Sequence, residues 1–154
     1  MIELMLEGYG PEGIAVIVQA ITDNRNRTVA EVKNFFDKNG GSLAEPGSVM
    51  YQFERKGLVK LDRVLEDDLI LELIDLGVDD VEVNEEGSLI ITDPSNLREV
   101  GKFLEEKKIG GWEAKVSYLA KMEKTVAKPE AVERFLAKLA ELDDVQEVYA
   151  NVSF

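Results

Sequence analysis

"GLVKLDRVLEDDLILELIDLGVDDVEVNEEGSLIITDPSNLREVGKFLEEKKIGGWEAKVSYLAKMEK", residues 57–124, switches repeatedly between two apolar periods, and those switches decide the fold. "GLVKLD" reads as a strand. "LEDDLILELIDLG" predicts a helix with an acidic first turn, where carboxylates meet the positive helix end, and with Gly77 as its stop. In "VDDVEVNEEGSLIITD" the alternating Val81 and Val83, then Leu89 and Ile91, flank a turn containing Gly87, which is a hairpin. Asp93 caps a second helix with Pro94 at its first position and Leu97, Val100 and Leu104 on its apolar face. Gly110 and Gly111 end it, and "WEAKVSYLA" closes the segment as a strand. The order β-α-β-β-α-β is the ferredoxin-like signature.

The flanks are each incomplete without the other. Residues 2–9 predict a strand, "GYGPEG" a tight connection, "GIAVIVQAI" an apolar strand, Thr28 to about Asn39 a helix, and "SVMYQFE" a further strand. The C-terminal segment adds a helix from Pro129, with Val132, Phe135, Leu136 and Leu139 on one face, and a strand near "VQEVYANV". A sheet with one helix leaves part of a face wet, and the C-terminal helix supplies the missing cover. The expected fold class is therefore α+β, with two ferredoxin-like α/β sandwich domains, the second inserted into the first. One is a discontinuous domain of residues 1–56 plus 125–154, the other an inserted acidic domain of residues 57–124. The first and last strands of a ferredoxin-like unit pair antiparallel, which brings the two ends of an insert together.

Composition narrows the chemistry. The 154 residues contain no cysteine and no histidine, which removes thiol catalysis, Cys/His zinc sites and Ser-His relays. No catalytic constellation stands out among the remaining carboxylates, lysines and tyrosines. No cofactor or metal motif is present, since the acidic clusters lack the D-x-[DN]-x-[DN]-G pattern of a calcium loop. The chain is expected to be a non-enzymatic, cytoplasmic protein without a membrane segment. Its net charge of −13 opposes non-specific binding to nucleic acid. That charge is uneven: residues 1–56 carry −2, residues 57–124 carry −8 and residues 125–154 carry −3.

The nearly neutral first segment contains "TDNRNRT", residues 22–28. Thr28 and Glu31 have capping-box spacing before the apolar positions Val29, Val32, Phe35 and Phe36, and Asp23, Asn24 and Asn26 suit turns. That reading leaves Arg25 and Arg27 unexplained. Two guanidinium groups beside a helix N-terminus suit a phosphate or carboxylate. Lys33 and Lys38 on the following helix, and Arg55 and Lys56 in "ERKG", extend the candidate basic surface. Gly40 reads as a helix C-cap, and the loop "KNGGSLAEPGS" is longer than its connection needs, which suits binding.

The pieces "EGYGP", "TDNRNRT", "EVKNFF", "KNGGSL", "GSVMYQFERKG" and "DDVQEVYANV" together resemble the YebC/PmpR family, which includes the mitochondrial translational activator of cytochrome c oxidase subunit I. The resemblance runs over essentially the whole chain and implies two α/β domains, one inserted in the other. It implies a role in gene expression, either as a DNA-binding transcriptional regulator or as a ribosome-associated factor that helps translation of proline-rich stretches. It makes Asn24, Arg25, Asn26 and Arg27, with Gly40 and Gly41, the contact surface for ribosome, RNA or DNA. Family members carry a further basic, helical domain ahead of the "EGYGP" hairpin, so nucleic-acid binding is expected to be weaker without it. Contact with RNA and ribosome is the leading expectation, because the helix from Thr28 offers Lys33 and Asn34 but is otherwise apolar or acidic. The DNA-binding regulator is the alternative. A protein-interaction or ligand-binding module is a third, with a basic protein partner for the acidic domain.

Overall fold

In the computed structural model, which describes residues 1–154, the apolar run after "GYGPEG" becomes a central strand. β1 (Ile2–Tyr9) and β2 (Ala15–Thr22) form an antiparallel hairpin in which Leu6 faces Val18, Glu7 faces Ile17 and Gly8 faces Val16. α1 (Arg25–Lys38) follows, and β3 (Ser42–Ala44) adds to the free edge of β1. The sheet is completed from the far end of the chain. α4 (Pro129–Ala140) leads into β9 (Val145–Ala150), which pairs antiparallel with β2. The order is β3-β1-β2-β9, and a short parallel pair joins β8 (Lys124–Thr125) to β10 (Val152–Ser153).

The intervening segment gives β4 (Phe53–Leu61), α2 (Asp67–Asp75), β5 (Asp80–Asn84), β6 (Gly87–Thr92), α3 (Leu97–Glu106) and β7 (Glu113–Ala120). Its sheet runs β5-β6-β4-β7, the ferredoxin-like arrangement in which the first and last strands are neighbours. The other sheet runs β3-β1-β2-β9, so its two central strands are consecutive in the chain and joined by a hairpin, with β3 and β9 at the edges. Two four-stranded sandwiches result. Met1–Glu54 with Leu119–Phe154 make one compact unit, and Arg55–Tyr118 make the other.

Each unit has its own core. In the first, Ile14, Val16 and Val18 meet Val32 and Phe36 of α1 and Val132, Phe135 and Leu139 of α4. Gly8 is required by this packing, since a Cβ there would lie 2.8 Å from the Phe36 ring. In the second, Val59, Leu61 and Ile90 of the sheet pack under Leu73, Val100 and Leu104 of the helices.

"SVMYQFE" is not a strand of the first sheet. The edge strand is the three-residue β3, residues 48–52 form turns, and Phe53 opens β4. The reason lies in β1. Gly8 faces the helices, so its neighbour Glu7 lies on the opposite sheet face, where it is buried. One Glu7 carboxylate oxygen accepts the N–H of Gly47 (2.7 Å), and the other accepts those of Val49 (2.9 Å) and Met50 (2.7 Å). Their N–H groups face a carboxylate, not a neighbouring strand. Burial pushes the Glu7 pKa up, but the three N–H donors outweigh it and hold the carboxyl below its ordinary value.

The "GYGPEG" connection is also more than a hairpin turn. It forms a 3-10 turn at Pro11–Gly13, with Glu12 at φ +61°. The Glu12 carboxylate accepts the N–H groups of Ala127 (2.7 Å) and Lys128 (2.9 Å), tying the turn to the segment that starts α4.

Candidate nucleic-acid interface

The end of β2 and the first turn of α1 are built as one knot. Thr22 is fully buried, and its hydroxyl accepts the Asn24 N–H (3.0 Å). Asn24 has extended backbone and its side chain accepts the Arg27 N–H (3.1 Å), so the helix starts at Arg25 with Asn24 as its cap. This corrects the expectation that Thr28 and Glu31 cap a helix beginning at Thr28. Thr28 lies inside the helix, buried, and donates its hydroxyl to Asp144 at 2.7 Å. The Asx cap forms because Asn24 offers the first free N–H groups an acceptor one turn before the T-x-x-E pattern can. Asn24→Ala is therefore expected to cost about 1 kcal/mol as a lost cap. Thr28→Ala should cost about 2 kcal/mol, as a lost hydrogen bond to a charged acceptor. Urea unfolding of the two variants checks the order.

Arg27 is not a free cation. Its Nη2 donates to Asp23 (2.9 Å), Thr22 (3.2 Å) and Asp144 (3.3 Å). Its hydrogen bonds to Asp144 and then to Asp23 raise the guanidinium pKa above its usual value. The Thr28 hydroxyl, with Arg27 beside it, holds the Asp144 carboxyl below the usual carboxylate range. Asp144 is the residue that local sequence reasoning missed. It lies 117 positions from Arg27, in the segment just before β9, and its own carbonyl accepts the Ile21 N–H (2.9 Å). The only sequence signal for it is its place in "DDVQEVYANV".

Arg25 and Asn26 complete the first turn. Both are exposed, and Arg25 forms no ion pair. They stand where the orphan N–H groups of α1 give a partial positive charge. Lys33 is exposed and paired with Asp37 at 2.9 Å. Lys38, Gly40 and Gly41 sit at the other end of α1, about 20 Å away for a 14-residue helix rising ~1.5 Å per residue. The structure thus does not bring the glycine loop and the Asn/Arg turn together. Gly40 adopts φ +82°, as a residue following a helix end does, and a Cβ on Gly41 would lie 2.4 Å from the Tyr9 carbonyl oxygen. Close backbone packing therefore accounts for Gly41. Arg55 and Lys56 belong to the second unit, where Lys56 pairs with Asp79 at 2.7 Å.

Residues 1–152 match the family model described as the second and third domain of TACO1/YebC, and the chain belongs to that family. A probable transcriptional regulatory protein of Thermotoga petrophila is 46% identical over 97% of this chain and 60% of its own length. One from Francisella tularensis subsp. mediasiatica is 40% identical over 99% of this chain and 63% of its own length. The crystal structure of a conserved hypothetical protein from Aquifex aeolicus, 39% identical, matches with a TM-score of 0.86 and covers 99% of this chain. The chain spans 65% of that protein. No helix is long and apolar enough to cross a membrane.

Proposed function

We propose that this chain is the part of a YebC-type gene-expression factor that contacts structured RNA, ribosomal RNA in particular, through the first turn of α1, in support of translation through proline-rich stretches. The observation that carries this is the division of labour among the Asn/Arg residues. Thr22, Asn24, Arg27, Thr28 and Asp144 lock one another, which leaves Arg25 and Asn26 exposed on a rigid frame. A frame of this kind suits one or two phosphates of a folded RNA recognised by shape.

Duplex readout would need a helix with a basic outer face. The exposed positions of α1 mix Arg25, Lys33 and Lys38 with Glu31 and Asp37. The names of the relatives nonetheless favour a second reading, a transcriptional regulator acting on DNA. Arg25→Ala is expected to weaken association with ribosomal RNA about tenfold, the worth of one charged hydrogen bond, with an unchanged melting curve. Filter binding at several salt concentrations, run in parallel on ribosomal RNA and duplex DNA, measures it. Unaltered RNA binding by Arg25→Ala overturns the reading, and tighter binding to the duplex at every salt concentration favours the DNA alternative.

A further inference from the structure

Arg98, Gly101, Lys102 and Glu105 recur at i, i+3, i+4 and i+7 in α3, so they share one stripe of the helix. Gly101 leaves room on that stripe for Trp112, the single tryptophan of the chain. A Cβ at position 101 would lie 3.1 Å from the indole ring. Trp112 is partly buried on the edge of the second unit's core, and its N–H donates to no group of the protein. Arg98 and Lys102 are exposed and form no ion pair. These residues line an open groove of about 460 Å³, within the size range of small-molecule sites.

We propose that this groove holds a nucleotide step of single-stranded RNA, with a base stacked on Trp112 and the flanking phosphates met by Arg98 and Lys102. Base stacking on an aromatic ring together with neighbouring cations is the general chemistry of single-strand binding. The indole N–H adds an unused donor for a base or ribose oxygen. An acidic peptide would meet the two cations but leave the indole without a stacking partner. Glu105 opposes any anion in the groove, and the unit as a whole carries nine basic and sixteen acidic residues, so binding is expected to be weak and salt-dependent. The surface lies in a different unit from α1 and does not depend on the α1 reading.

The sole tryptophan makes the test direct, with the intact chain and octaadenylate as the probe. Tryptophan fluorescence should quench saturably at low salt, and log affinity should fall with log salt at a slope of about −1.4, as for two phosphates of a single strand. Arg98→Ala with Lys102→Ala should weaken binding by more than about tenfold, without changing the thermal melt. Glu105→Gln should tighten it about threefold by removing a like charge, a change that a merely structural role would not produce. Arg25→Ala should leave the signal intact. The proposal is overturned by absent quenching, by full affinity in the double variant, by octaglutamate competing as well as the RNA, or by loss of the signal in Arg25→Ala.

Discussion

Glu7→Ala should destabilise the first unit by about 3 kcal/mol, roughly one for each backbone N–H left without its carboxylate acceptor. The carboxylate is buried on the helix-free face of the sheet and is the acceptor for Gly47, Val49 and Met50. The loss should be local before it is global: amide exchange at Val49 and Met50 should accelerate under conditions where the β1–β2 hairpin stays protected. Glu7→Gln keeps one acceptor oxygen and should fall between the two. The pH dependence follows from the sign of the shift. The folded-state pKa of Glu7 is depressed, so its contribution is complete above the ordinary carboxylate range and disappears as pH falls through the lowered folded value. The gap in urea stability between the parent chain and Glu7→Gln should therefore close on acidification. A gap that stays constant down to strongly acidic pH would show that the carboxylate charge is not what holds the loop.

Phe36→Ala should cost about 4 kcal/mol, the range for deleting a fully buried aromatic ring. Phe36 has no exposed surface and stands edge-on to Phe135 (centroids 5.4 Å) and Phe35 (6.4 Å). It also fills the space above Gly8 and beside Gly41, two positions without side chains of their own to collapse into the gap. Urea unfolding measures the loss, and Phe36→Leu, which keeps most of the volume, should lose less than half as much. Equal losses would mean that the edge-on aromatic contacts, rather than filled volume, dominate.

The second unit was readable from the chain because each of its elements follows its own period. Val81 and Val83 alternate, Leu97, Val100 and Leu104 recur on one helix face, and glycines mark the stops. The elements that escaped reading in the first unit are those governed from a distance. "SVMYQFE" alternates Val49, Tyr51 and Phe53 as a strand would, but Glu7 of β1 takes the N–H groups of Val49 and Met50. β3 is three residues long, too short to show alternation. The T-x-x-E pattern at Thr28 imitates a capping box, while the actual cap is Asn24, four residues earlier. Among the contact candidates, Arg25 and Asn26 are exposed and Arg25 forms no ion pair. Arg27 is exposed as well, but it is paired, because a charge that answers it comes from Asp144 across the fold. Pairings of such range leave no local trace.

The connectivity of the first sheet has a consequence for biosynthesis. A chain emerging vectorially presents β1, β2, α1 and β3 well before α4 and β9 exist, leaving Ile14, Val16 and Val18 half-covered. Arg55–Tyr118, by contrast, is continuous and needs nothing made later. The later-made unit is thus the one that can finish first, while the earlier-made one waits with a bare β2 edge until its last strand arrives. During that wait the nascent protein depends on the speed of elongation, or on a chaperone, to keep that edge from pairing with another chain.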